Sequence, residues 1–281
     1  MIIDSHQHFW KYNVVNHAWI DNDMKVIQRD FLPEDLEPIL NKHNIDGCIS
    51  VQVDQTEEEN DFLLDLADKN DFIKGVVGWI DLRANNIDSR LEHYAQFEKM
   101  KGFRHIVQGE SDTEFMLRPQ FKHGIAELST HNFTYDILIY HHQLEQAIQF
   151  VKIFPEQKFV IDHIAKPDIK SGEYVQWQTN IKKISLHQNV YCKVSGMVTE
   201  ADWKGWKESD FKVYLDTVVK AFGTDRLMYG SDFPVCLLAT DYDKQFSIIE
   251  NYFAKFSNLE KKKIMGENSV KFYNINSLTK N

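Results

Sequence analysis

Short apolar runs rich in β-branched residues alternate with longer amphipathic segments from one end of the chain to the other. The runs at 1–5, 47–53, 73–80, 102–106, 133–139, 159–162, 190–194 and 227–229 read as strands. Between them, helical patterning falls near 89–100, 119–129, 142–154, 174–186, 210–222 and 241–253, and 259–273 adds one or two terminal helices. Two further helices announce themselves by their first residues. Leu32-Pro33-Glu34-Asp35 places a proline in a first turn, where its missing N–H costs nothing. Thr56-Glu57-Glu58-Glu59 predicts a capping box, with Thr56 as cap and Glu59 reaching back to it.

Strands alternating with helices imply a parallel sheet, because parallel neighbours need crossover connections. Eight such units in 281 residues predict an α/β fold of the closed (β/α)8, TIM-barrel kind, with residues 1–281 as one domain. Chain order alone would also allow a large doubly wound sheet, and the placement of polar residues favours the barrel. No fixed-period repeat, low-complexity tract or Pro/Gly-rich linker interrupts the pattern. The one long irregular stretch, 9–31, follows the first strand and is expected to lie over the mouth of the barrel.

Barrel active sites form at the C-terminal ends of the strands. Those ends carry a consistent polar set: His6-Gln7-His8, Arg104-His105, Tyr140-His141-His142, Asp162-His163, Lys193 with Ser195, and Gly230-Ser231-Asp232. Residues i and i+2 of a strand share a face, so the imidazoles of His6 and His8 can converge on one point. Neutral imidazole is the commonest ligand for zinc and similar ions. An HxH pair can also be accidental. Asp232 adds weight to the functional reading, because the last strand of a barrel closes beside the first, where a carboxylate can complete a metal site or act as general base. His163 is the third imidazole of the set. One of His141 and His142 is expected to point inward while the other begins the next helix.

Composition narrows the partners. A formal net charge of -10 argues against nucleic acid, whose binding depends on Lys and Arg neutralising phosphates. No stretch of about 18 apolar residues is present, so no membrane span is expected. The opening residues show no basic region leading into an apolar one, and a cytoplasmic protein, monomer or homodimer, is the expectation. Cys48, Cys192 and Cys236 are too few and too scattered for a disulfide framework, and no CxxC pair offers a thiolate zinc site.

Three stretches together carry a family likeness: Asp4-Ser5-His6-Gln7-His8-Phe9-Trp10, Asp162-His163-Ile164-Ala165-Lys166-Pro167 and Tyr229-Gly230-Ser231-Asp232-Phe233-Pro234. They resemble the amidohydrolase-related, TIM-barrel branch of the amidohydrolase superfamily, and within it the sugar-lactonase group that acts on L-fucono- and L-rhamnono-lactones. Residues 75–82, 102–105, 193–197 and 266–273 support the likeness, which spans essentially the whole chain. It implies that His6 and His8 are strand-one metal ligands, His163 the strand-six histidine and Asp232 the strand-eight carboxylate that activates water. No lysine stands at the end of strand four to be carbamylated and bridge two metals; Arg104-His105 occupies that region. At most one divalent ion is expected, zinc foremost, with metal-independent catalysis as the other outcome.

The expected reaction is hydrolysis of a small-molecule sugar lactone. Asp232 would take a proton from water and return it to the leaving hydroxyl, while His6, His8 and His163, alone or through an ion, polarise the carbonyl. Arg104, His105 and Lys193 are expected to hold substrate oxygens, and Trp10, Trp79 or Trp203 to stack on the substrate. Core packing is an equal reading for Trp79, and a salt bridge is the bland one for Arg104. Cys236 reads as a small buried residue rather than a nucleophile, because no partner base is evident. Two alternatives stand: a metal-dependent non-oxidative decarboxylase of the same branch, or a catalytically silent binding barrel.

Overall fold

The computed structural model describes residues 1–276, and in them the eight predicted strands form a single parallel sheet. They are β1 (Ile3–Gln7), β2 (Gly47–Val51), β3 (Ile73–Gly78), β4 (Met100–His105), β5 (Thr134–Ile137), β6 (Phe159–Ile161), β7 (Val190–Val194) and β8 (Leu227–Tyr229). Each pairs with the next in chain order. A parallel bridge between Gln7 and Phe233 brings the exit of β8 against β1, with the N–H of Asp232 donating to His6 O at 2.8 Å. This order is that of a barrel and not of a doubly wound sheet.

Helices α1 (Pro33–Lys42), α2 (Glu57–Lys69), α3 (Ile87–Tyr94), α4 (Pro119–Thr130), α5 (Leu144–Ile153), α6 (Val175–Ile184), α7 (Glu208–Phe222) and α8 (Tyr242–Phe253) form the outer layer. Helix α3 ends six residues before the pattern predicts, since Met100 already begins β4. The start of α2 departs from the expected capping box. Thr56 does accept from the N–H of Glu59, at 3.3 Å, but the Glu59 carboxylate turns to the N–H groups of Val53 and Asp54, each at 2.8 Å. Glu59 therefore secures the β2–α2 loop rather than its own helix.

The barrel interior changes character along its axis. Its lower half is apolar, filled by Ile3, Ile49, Val51, Val77, Val160 and Met228, and sealed by Phe272 and Tyr273 at the end of α10 (Asn268–Phe272), which follows α9 (Asn258–Lys262). Its upper half is charged. The pairing of β1 with β2 shifts register between Asp4 and Gln7. Such a bulge re-aims side chains, and it accounts for Ile3 and His6, three residues apart, both pointing inward. No described helix is long and apolar enough to cross a membrane.

Candidate active site

Two strand exits leave ordinary backbone geometry. After β6, His163, Ile164, Ala165 and Lys166 have φ of 52°, 49°, 62° and 43°, and after β8 Asp232 has φ 59°. Left-handed backbone costs a non-glycine residue roughly 1–2 kcal/mol, so a run of four persists only where its surroundings over-determine it. Here the Trp177 indole N–H donates to Ile164 O at 2.7 Å, and His141 Nδ1 meets Lys166 O at 3.0 Å. Gly196, itself at φ 63°, leaves room for the His163 ring, which an added Cβ would meet at 2.5 Å. His141 thus holds the turn in place, while His142 is exposed at the surface.

The turn and the bulge bring His6, His8 and His163 around Asp232. Their Nε2 atoms lie 3.9, 3.4 and 3.8 Å from Asp232 Oδ1, and all four side chains are buried. Each Nδ1 faces a different partner. His8 Nδ1 donates to Val51 O at 2.8 Å, His6 Nδ1 lies 3.2 Å from Asp162 Oδ1, and His163 Nδ1 lies 2.9 Å from Ser195 Oγ. A carbonyl only accepts, so His8 must carry a proton on Nδ1, and in the neutral ring the lone pair then lies on Nε2, the nitrogen facing Asp232. Burial drives the imidazoles of His6 and His163 well below their usual pKa, toward the neutral form. Burial opposes ionisation of Asp232 too, but His163, His8 and Lys166 outweigh it and hold its carboxyl below the ordinary range. Three imidazole nitrogens thus converge on one carboxylate oxygen, a donor set that suits a cation. The residues fit a single divalent ion, with outer partners already orienting the imidazoles.

Beneath this cluster lies a fully buried layer of charge. Lys193 contacts Asp136, Asp162 and, at 3.1 Å, His6 Nδ1. Arg104 donates to Asp162 at 3.0 Å and grips both the side chain and the carbonyl of Gln52. Two cations face two carboxylates. Burial opposes the charge on Asp162, yet Lys193, His6 and Arg104 hold its carboxyl well below the usual range. For Asp136 burial prevails over Lys193 and raises its carboxyl to about 6.

A cavity of about 530 Å³ opens above the cluster, and His8, His163, Asp232 and Arg104 all reach it. Its walls include Trp19 and Met24 from the 9–31 loop, which does overlie the mouth, together with Tyr140 and Trp203. Lys166, which lies in a motif stretch but is given no role by it, and Glu200, which no feature of the sequence singles out, line it as well. Four residues expected to touch substrate sit elsewhere. Lys193 is 0% exposed within the charge layer. His105 is buried, stacked on Phe115 and bonded to Glu110, with the Trp79 indole donating to its Nδ1 at 3.2 Å. Trp10 packs on Phe31 and donates to Arg29 O, anchoring the base of the long loop. Asp136 and Gln52 escape sequence reasoning, and Asp162 is noted there only as a strand-end neighbour of His163, because nothing local distinguishes a barrel-interior carboxylate or amide from a surface one. A second cavity, about 540 Å³, opens at the other end of the barrel beside Thr134, Gln157 and Tyr273, away from this chemistry.

A closed parallel barrel with an HxH pair, a strand-six histidine and a strand-eight aspartate around one point defines a hydrolase-type site of the amidohydrolase kind. The family model described as amidohydrolase matches residues 3–275, and the chain belongs to that family. It is 36% identical to the L-fucono-1,5-lactonase of Burkholderia multivorans, over 96% of this chain and 95% of that protein. With the L-fucono-1,5-lactonase of Burkholderia ambifaria it shares 33% identity over 97% and 95%. Two crystal structures of an amidohydrolase from Burkholderia multivorans, one with bound HEPES and one with bound zinc, superpose with a TM-score of 0.95. They are 36% identical to this chain and cover 98% of it and 100% of their own length.

The metal reading has a direct check. Purified protein is expected to carry close to one equivalent of zinc or a similar divalent ion by elemental analysis. His8→Ala should lower that occupancy, by about 10-fold or more in affinity, because it would remove an imidazole that the Val51 carbonyl already orients toward the other three groups. Full activity in metal-free, chelator-treated protein would make the four residues a hydrogen-bonding site instead.

Proposed function

We propose that this chain hydrolyses the ring ester of a sugar-derived lactone, with L-fucono- and L-rhamnono-lactone as the leading substrates. The observation that carries the reading is the convergence of three imidazoles on Asp232 at the floor of a cavity walled by both aromatic and polar side chains. The named activity of the two Burkholderia relatives supports it. Asp232 takes a proton from water as the water oxygen adds to the lactone carbonyl. The ring C–O bond then breaks, and Asp232 returns the proton to the departing alkoxide, leaving an open hydroxy acid. His6, His8, His163 and Asp232 would hold one divalent ion, zinc foremost in view of the zinc-bound relative, and that ion would supply Lewis-acid stabilisation of the oxyanion.

The remaining residues act on position. Arg104, fixed by Gln52 and Asp162, presents an edge of its guanidinium to the cavity and orients substrate oxygens. Lys193 acts through His6 and the two aspartates, and His105 with Trp79 supports the β4 loop. Trp203 offers the stacking face. Prepared L-fucono-1,5-lactone and L-rhamnono-lactone should be opened at least about a hundredfold faster, by kcat/KM, than unsubstituted butyrolactone, because buried donors reject analogues that leave them unpaired. A pH indicator reads the acid released. Equal rates on simple lactones would remove the sugar assignment, and carbon dioxide release from aromatic acids without lactone opening would favour the decarboxylase.

A further inference from the structure

Lys166 and Glu200 form an ion pair at 3.5 Å on the cavity wall, with side chains only 17% and 20% exposed. Among the described residues neither terminus hydrogen-bonds to any other group, although the ammonium can donate three bonds and the carboxylate can accept several. Taking two charges largely out of water costs several kcal/mol per ion, and one loose contact returns little of it. Nor does the pair have to hold the fold together here. The backbone of Lys166 is fixed by its own N–H to His163 O, at 2.8 Å, and by His141. The two loops are already joined by the N–H of Lys170 donating to Glu200 O at 3.0 Å, and Glu200 N–H donates to Met197 O.

We infer that Lys166 and Glu200 are the sugar-recognition pair of this site, binding neighbouring ring hydroxyls of the lactone, one oxygen accepting from the ammonium and the adjacent hydroxyl donating to the carboxylate. The inference rests on the lactonase reading and goes beyond it by naming what makes the substrate a polyol. The separation of the two charged ends is comparable with that of adjacent hydroxyl oxygens on a sugar ring. Both residues line the cavity that Asp232 and His163 also line, so a substrate bound there also reaches the proposed base. Trp203, Val235 and Leu238 line the same cavity and suit the C–H face or methyl group of a deoxy sugar. Lys166 also lies 5.6 Å from the centre of the Tyr140 ring, which restricts where its ammonium can go. The left-handed turn gains a purpose: one short segment delivers both His163 and Lys166 to the cavity.

The test compares wild type, Glu200→Gln and Lys166→Met on a 6-deoxyhexonolactone, its single-deoxy analogues and δ-valerolactone. Each variant is expected to lower the kcat/KM ratio of the hydroxylated lactone over δ-valerolactone by about 10- to 100-fold, the range for one lost charged hydrogen bond. In the variants, deleting the hydroxyl that the pair binds should carry no further penalty, whereas wild type should lose about as much from that deletion as from the mutation. Two variants acting on opposite members keep the test sound if one is poorly folded, and thermal midpoints identify such a case. A merely structural role predicts equal losses on every lactone and an unchanged ratio, which would overturn the inference alone. Wild-type protein that opens none of the lactones would overturn the lactonase reading and this inference with it.

Discussion

Asp232→Asn is expected to lower kcat by about a thousandfold or more while leaving the fold intact. The amide keeps the shape of the carboxylate but cannot take a proton from water. Its NH₂ group can donate to one of the Nε2 atoms that crowd Asp232 Oδ1 at 3.4–3.9 Å, so the buried position stays satisfied. The same variant separates two roles of the residue. Retained metal with lost turnover marks a base, and loss of both marks a ligand first. Steady-state kinetics and elemental analysis of one preparation read both. More than a tenth of wild-type kcat would exclude Asp232 as the base.

The second large effect is on stability. Lys193→Met should destabilise the protein by about 3–5 kcal/mol at neutral pH, because it leaves Asp136 and Asp162 buried beside each other with Arg104, the His6 imidazole and Tyr273 as their remaining partners. The pH dependence has a definite sign. In wild type the carboxyl of Asp162 is held well below its ordinary value, so its stabilising contribution is present above about pH 4 and lost only in strong acid. Without Lys193 burial is opposed by fewer charges, the carboxyls rise, and stability is lost as pH increases through the raised values. The deficit should therefore be largest at pH 7 and shrink toward pH 4. Thermal or denaturant unfolding across that range checks it, and a deficit below about 1 kcal/mol at pH 7 would show that the layer is not held by charge.

Much of this site is legible in the order of residues alone. The HxH spacing, the aspartate after the last strand and the histidine after the sixth are strand-end features, and strand ends of a barrel all point to one place. The likeness of the three motif stretches identifies the family. Substrate-contact residues are less legible. Lys193 lies one step inside the β7 exit and Arg104 on β4, and nothing local indicates that one is enclosed among carboxylates while the other reaches the cavity. Glu200 reads as an ordinary loop charge and Lys166 as a motif residue without a role, since the signal that marks them is burial against each other across 34 residues of chain.

What the sequence determined by itself is the alternation of strands and helices, and with it the barrel and the face on which polar strand ends gather. Those properties follow from periodicity and chain order, which are local. The tertiary structure decided the bulge that turns His6 inward, the left-handed run 163–166 and the sorting of charged residues between interior layer and cavity wall. Each of these depends on contacts between segments far apart in the chain. Backbone strain is tolerated only where surrounding bonds offset it, and a buried charge is placed only where an opposite charge awaits it.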